Sequence, residues 1–189
     1  MPTSEALRLE LLQMAERDQA VRSEAIGGGI AKAQVASTQL EAVDRRNTAR
    51  MREIVARAGW PDKELVGQDG AQAAWLLVQH SDDLAFQRHC LVLMEQAADR
   101  GLVDPAHVAY LTDRVRMKEG RPQLYGTQLR EREGRLVPVP VEDEERVDYR
   151  RARVGMPPLA EYVKDAARFY TPTRGVRERS VERSRERSP

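Results

Sequence analysis

Apolar residues recur near the start of the chain at helical spacing. Leu7, Leu11, Met14, Val21 and Ala25 fall at intervals near 3.5 residues, with Thr3 or Ser4 ahead of them as a cap. Asp18 interrupts this stripe from within. Gly27-Gly28-Gly29 then weakens the helix, because each glycine costs about 1 kcal/mol in a helix interior. No Gly-Lys-Ser/Thr follows, so the run predicts a hinge rather than a phosphate loop. A second helix passes through Leu40, Val43, Asn47, Met51, Ile54 and Val55 and stops at Gly59-Trp60-Pro61, leaving Trp60 as a lid on the core. The segment GAQAAWLLVQH is apolar on nearly every side, which predicts a central buried helix from near Asp69 to near Ser81. Ser81 to Asp83 supply a turn and the next cap. The helix after it carries Leu84, Phe86, Cys90, Leu91, Leu93, Met94 and Ala97 inward as far as Gly101. Asp104-Pro105 opens a fifth helix, with Val108, Leu111 and Val115 as its stripe, ending at Gly120.

At Arg121-Pro122 the periodicity changes. QLYGTQL and RLVPVPV, separated by REREGR, predict two short paired strands within residues 123–141, the second confined to an edge by its prolines. Helices from about Glu142 to Arg153 and from Leu159 to about Phe169 complete a mostly α fold. It is a single helical domain of about seven helices over residues 1–170, with a small β-hairpin or paired loop. Residues 171–189, TPTRGVRERSVERSRERSP, have too little apolar surface to offset the entropy of ordering and are expected to be a disordered tail.

Composition agrees with helices, since aromatics make up only 5% and charged residues 32%. Lys and Arg number 31 against 30 Asp and Glu, so no overall basic field directs the domain to nucleic acid or an anionic membrane. From Arg174 onward six arginines face three glutamates, so the tail is the one segment with a chemistry for polyanions. Neither a secretory leader nor a membrane span is visible, and the expected location is the cytoplasm. The lone Cys90 lies among Phe86, Leu93 and Ala97 at helical spacing and reads as core packing, not as a nucleophile.

Candidate chemistry comes from polar side chains on apolar faces, because a buried polar group without a partner costs several kcal/mol. Asp18, His80, Gln87 and Asp113 are these anomalies. His80 with Asp82 suggests an oriented acid–base pair, since a carboxylate on one imidazole nitrogen fixes the tautomer and raises the basicity of the other. The catalytic candidates are therefore His80, Asp82 and Asp113, with a structural His80 bonded to a carbonyl as the alternative. Metal ligation by His80, Asp82 and Asp113 lacks any His-x-x-x-His or Cys-x-x-Cys spacing, and neither a metal nor a cofactor is expected. His89 and His107 read as peripheral. Gln123, Tyr125, Thr127 and Gln128 surround Gly126, which would let a ligand or another backbone approach, and in an extended stretch Gln123, Tyr125 and Thr127 share one face.

The strings MAERDQAVR, GWPDKELVG, GAQAAWLLVQHSDD, YLTDRV, EGRPQLYGTQ and VEDEERVDYRRARVGMPPLAEY resemble an uncharacterised bacterial family known only as a domain of unknown function, over about Leu7 to Lys164. The resemblance carries over to Asp18, Gln19 and Arg22, to Gln79, His80, Asp82 and Gln87, to Asp113 and Arg114, and to Gln123, Tyr125, Gly126, Thr127 and Gln128. It implies no particular activity.

Two function classes stay open. One is an enzyme of hydrolase or transferase type, using metal-independent acid–base chemistry on a small polar or peptide-like substrate. There His80, Asp82 and Asp113 act, and Asp18, Gln19, Arg22, Gln87, Arg114, Gln123, Tyr125, Thr127 and Gln128 bind. The other is a non-catalytic module for a ligand or a protein partner. An open cavity with Asp18, His80, Asp113 and Tyr125 or Gln128 converging would favour the enzyme, and a closed, satisfied network the module.

Overall fold

Seven α-helices form among the described residues, which are 3–26 and 30–168 of this computed structural model. They are α1 (Glu5–Ile26), α2 (Ile30–Ala58), α3 (Lys63–Gln79), α4 (Leu84–Asp99), α5 (Pro105–Lys118), α6 (Val147–Arg153) and α7 (Leu159–Arg168). The glycine run 27–29, the end of the last predicted helix at Phe169 and the tail 171–189 lie outside the described residues.

The central helix starts earlier than the apolar pattern predicts. Asp62 caps it by accepting hydrogen bonds from the amides of Glu64 and Leu65, so the first turn begins at Lys63 rather than near Asp69. That turn is polar, and the apolar pattern does not register it. At Gly67 the backbone adopts φ +73° and the helix breaks before continuing through the apolar segment. The chain's beginning docks on this break: the amides of Thr3 and Ser4 donate to the carbonyls of Glu64 and Leu65, and Arg8 binds Asp69 at 2.8 Å.

Beyond Gly67, α3 buries Ala73, Ala74, Leu77 and Val78 in the middle of the core. α1 packs on α3 and α2, contributing Leu11 and Met14, while α2 brings Met51, Ile54 and Val55. α4 and α5 pair on the other side with Phe86, Cys90, Met94, Leu111 and Val115. Trp60 is buried in the same cluster, as a lid residue would be. Each of the buried Leu, Ile, Val, Met and Phe side chains stabilises the fold by about 1.5–3 kcal/mol relative to exposure. Burial pushes the Cys90 thiol up to about 12, so it packs rather than reacts.

The hairpin pairs β1 (Leu129–Arg132) with β2 (Arg135–Pro138), antiparallel, from Leu129 opposite Pro138 to Arg132 opposite Arg135. Glu133 at φ +55° and Gly134 at φ +78° form the two-residue turn that matches strand twist. The first strand therefore lies in the segment read as the connecting loop, and residues 124–127 are not a strand, because their amides are spent elsewhere. Gln123 makes only an isolated bridge to Val141. A single 3₁₀ turn, Glu144–Arg146, precedes α6, which starts at Val147 and not at Glu142. Among the described residues no helix is long and apolar enough to cross a membrane.

Candidate functional site

His80 closes the C-terminal end of α3, its amide donating to the carbonyl of Leu76, and its ring reaches across to α1. There Asp18 is 1% exposed, at the position where the α1 stripe turns polar. His80 Nδ1 lies 2.7 Å from Asp18 Oδ2. Gln19 Nε2 and Arg22 Nε also donate to that oxygen, both at 3.1 Å. Arg22 Nε stands 2.9 Å from His80 Nδ1 as well, but two N–H groups cannot bond one another and a carboxylate can only accept. The shorter contact, to Asp18, assigns the Nδ1 proton to that carboxylate, which leaves Nε2 with the lone pair whenever the ring is neutral. The His80 side chain is 20% exposed, so solvent reaches this group.

Burial alone would raise the Asp18 pKa, but the hydrogen bonds from His80 and Arg22 outweigh it and hold the carboxyl below its ordinary value. A depressed carboxylate contributes stability that is complete above its unfolded value, near 3.9, and lost as pH falls through the lower folded value. Denaturant titrations at a series of pH values should therefore show the gap between wild type and Asp18→Asn shrinking as pH falls from about 5 to about 2. A gap that stays constant across that range would show that Asp18 carries no such linkage.

A cationic wall flanks the pair. Arg22 Nη2 donates to Asp44 at 2.5 Å, and burial pushes the Asp44 pKa up despite that contact. Arg114 on α5 donates through Nε to Gln79 Oε1 at 2.6 Å, and among the described residues no carboxylate lies within ion-pair distance of it. Burial lowers its pKa, and the like charge of nearby Arg22 adds to this. One turn further along α5, Lys118 donates to the carbonyl of Ser81 at 2.8 Å, and burial lowers its pKa too. Asp82, expected to orient His80, points to solvent with its side chain 88% exposed and only approaches Lys118 at 4.0 Å. The backbone places it beyond the end of α3, where nothing turns it back towards the imidazole.

Asp113 sits one residue before Arg114 and faces a different side of α5. It is fully buried and accepts from three backbone amides, those of Leu124 (2.7 Å), Tyr125 (3.0 Å) and Thr127 (2.9 Å). Gln123 is equally buried, donating to the carbonyls of Gln128 and Val139 while the amide of Gln128 donates to its Oε1. Gln128 spends its own side chain on the Thr127 hydroxyl. Gly126 holds φ +69°, and a Cβ there would meet Leu159 Cδ1 at 2.8 Å, so the close approach it allows is that of α7, not of a ligand. Gln87, on α4, donates to the carbonyls of Val78 and Gln79 and so caps the end of α3. These side chains do not share one extended face, since the segment curls around a carboxylate.

Arg151 was not foreseen. It is fully buried, donating to the carbonyls of Tyr125 and Pro157 at 2.6 Å each, with its guanidinium 5.0 Å above the Tyr162 ring. Tyr162 donates its hydroxyl to the carbonyl of Thr127. Lys118 and Asp44 were missed as well. Their only sequence signal was helical spacing from Arg114 and from Asn47.

His107 is not peripheral: its ring stacks on Trp75 at 4.1 Å, and burial lowers its pKa. Pro105 starts α5 so close to α3 that the first turn must pack against it. A cavity of about 300 Å³ opens beside this pair, lined also by Trp60, Gln72 and Leu102. It runs along the earlier part of α3 and takes in neither His80 nor Asp113. The expected single cavity thus resolves into a solvent-reaching group of Asp18, Gln19, Arg22 and His80 and a closed group around Asp113. Among the described residues no group of three or more His, Cys, Asp or Glu side chains could hold a metal ion, so His80, Asp82 and Asp113 do not gather.

The sequence profile of DUF6624, a family of unknown function, matches residues 5–172. The chain belongs to that family. No curated protein and no solved structure matches it. The family's span takes in all seven described helices and the hairpin, and with them both polar groups.

Proposed function

We propose that the protein is a cytoplasmic bacterial enzyme of hydrolase or transferase type, using acid–base chemistry without a metal on a small polar or peptide-like molecule. The observation that carries this reading is the buried Asp18 carboxylate 2.7 Å from Nδ1 of a partly exposed His80. In this reading the orienting role falls to Asp18, with Gln19 and Arg22 fixing the carboxylate. His80 Nε2 takes the proton of a water or a substrate hydroxyl as its oxygen attacks, and the imidazolium then gives that proton to the leaving group. Arg114 and Lys118 face the negative charge that develops on the attacked centre. The Asp113 group builds the frame and does not touch the reacting atoms.

A binding module remains the second reading, because among the described residues no Ser, Thr or Cys side chain bonds to His80 as a nucleophile. The test is turnover across a panel of chromogenic esters, anilides and phosphoesters by wild type and His80→Gln. At least one class should react, at a rate about 100-fold lower or worse in the variant. A folded His80→Gln protein that keeps the full rate overturns the enzyme reading, while a wild type inert towards every class supports the module.

A further inference from the structure

We infer that Arg114 and Lys118 form the seat of an oxyanion, a phosphate or a carboxylate, beside His80, so that the molecule handled there carries such a group. The assignment of that molecule as a substrate rests on His80 acting as a base. The seat itself does not.

A part-buried cation needs a partner, because desolvation is otherwise uncompensated. The other part-buried arginines have theirs: Arg8 binds Asp69, Arg22 binds Asp18 and Asp44, Arg50 binds Glu10, and Arg116 binds Glu142. Arg151 is enclosed by carbonyls and the Tyr162 ring. Arg114 departs from this pattern. Its one bond is to a neutral amide, and its two terminal nitrogens have no partner among the described residues, yet solvent reaches them. The bond to Gln79 fixes Nε and leaves the Nη pair free, the edge that takes a phosphate or carboxylate in two parallel hydrogen bonds.

Gln79 supplies a second, independent sign. It is 4% exposed, and while its Oε1 holds Arg114, its Nε2 is a buried donor with no acceptor. A buried amide half satisfied in this way is unfavourable and is kept here by its hold on the guanidinium. Lys118 lies four residues along the same helix, on the same face, with Nζ tethered by the Ser81 carbonyl. Its nearest carboxylate, Asp82, is exposed and 4.0 Å away, a pair of little strength. Arg114 therefore stands close enough to be repelled by Arg22, and Lys118 by Arg114, while Arg22 is neutralised by Asp18 and Asp44 and Lys118 is only weakly offset by the exposed Asp82. A bound oxyanion would relieve that repulsion and the missing partners at once.

The experiment titrates the full chain at low salt with inorganic phosphate and, separately, with acetate. It reads binding by calorimetry and follows the Arg114 Nε–H signal by NMR. Saturable binding is expected for at least one anion, with that signal shifting, and weakened at least tenfold in Arg114→Gln and in Lys118→Gln but not in the exposed Arg88→Gln. Phosphate alone would mark a phosphorylated ligand, and acetate alone a carboxylate. Binding that never saturates, or that survives both Arg114→Gln and Lys118→Gln in folded protein, overturns the seat. His80→Gln should still bind the anion, so loss of turnover with binding intact fails neither reading, and loss of the anion site with His80-dependent turnover intact fails this one alone.

Discussion

Replacing Asp113 with alanine is expected to lower the free energy of unfolding by more than about 3 kcal/mol, the largest stability effect of any single polar side chain in the fold. The carboxylate accepts from the amides of Leu124, Tyr125 and Thr127 and is itself fully buried. Its removal leaves one buried and two part-buried donors unpaired, at up to about 1–3 kcal/mol each, softened as the loop relaxes. The damage spreads, because Arg151 holds the Tyr125 carbonyl and Tyr162 the Thr127 carbonyl. Asp113→Asn should lose less than alanine but more than half as much, since its amide keeps one accepting oxygen and turns a donor towards other donors. Urea unfolding gives the magnitudes, and amide exchange at Leu124, Tyr125 and Thr127 gives the location. A loss below about 1 kcal/mol, or unchanged exchange at those amides, would show that the loop holds itself together without Asp113.

The second large effect is on rate. Asp18→Asn should lower kcat about 10²–10⁴-fold on whatever substrate the panel reveals, with little change in KM. An asparagine can turn its own N–H towards His80 Nδ1, which moves the ring proton to Nε2 and removes the lone pair that accepts the substrate's proton. ¹⁵N signals of the His80 ring should report the shift of the proton from Nδ1 to Nε2 without any substrate. Wild-type protein that already carries the proton on Nε2, or a variant with unchanged kcat, would sink the orienting role of Asp18. The variant should also unfold more easily, by roughly 1–3 kcal/mol, so rates are to be compared well below its melting temperature.

Helical periodicity and the cost of burying polar groups were enough to find Asp18, His80, Gln87 and Asp113 as misplaced polar groups, and all but His80 are buried to 1% exposure or less. What each one meets was not legible. The partner of His80 is 62 positions away on α1, a pairing decided by how α1 lies across α3, and no local spacing encodes that crossing. Asp82 was the nearer carboxylate along the chain, but two residues of separation past a helix end gave it no reason to turn inward. The QLYGTQ segment read as a ligand loop because glycine and amide side chains suit ligands and turns alike. The contacts that decide between them run from backbone amides to a carboxylate, and backbone amides have no signature in sequence. Seven helices were legible because their stripes and caps repeat one period. The hairpin shifted because Glu133-Gly134, not the whole polar run, makes the turn.

Consecutive residues of a helix point about 100° apart, and on α5 that angle separates Asp113, which ties down the loop, from Arg114, which stands in the cationic wall. In evolutionary terms the two duties are uncoupled at the shortest distance a chain allows. If Arg114 and Lys118 seat an oxyanion as proposed, a lineage can exchange either, and with it the kind of group admitted beside His80, while Asp113 keeps the neighbouring architecture in place. On that reading the molecule recognised can drift across descendants on an unchanged frame, because variation in recognition and the requirement to fold act on different side chains of one helical turn.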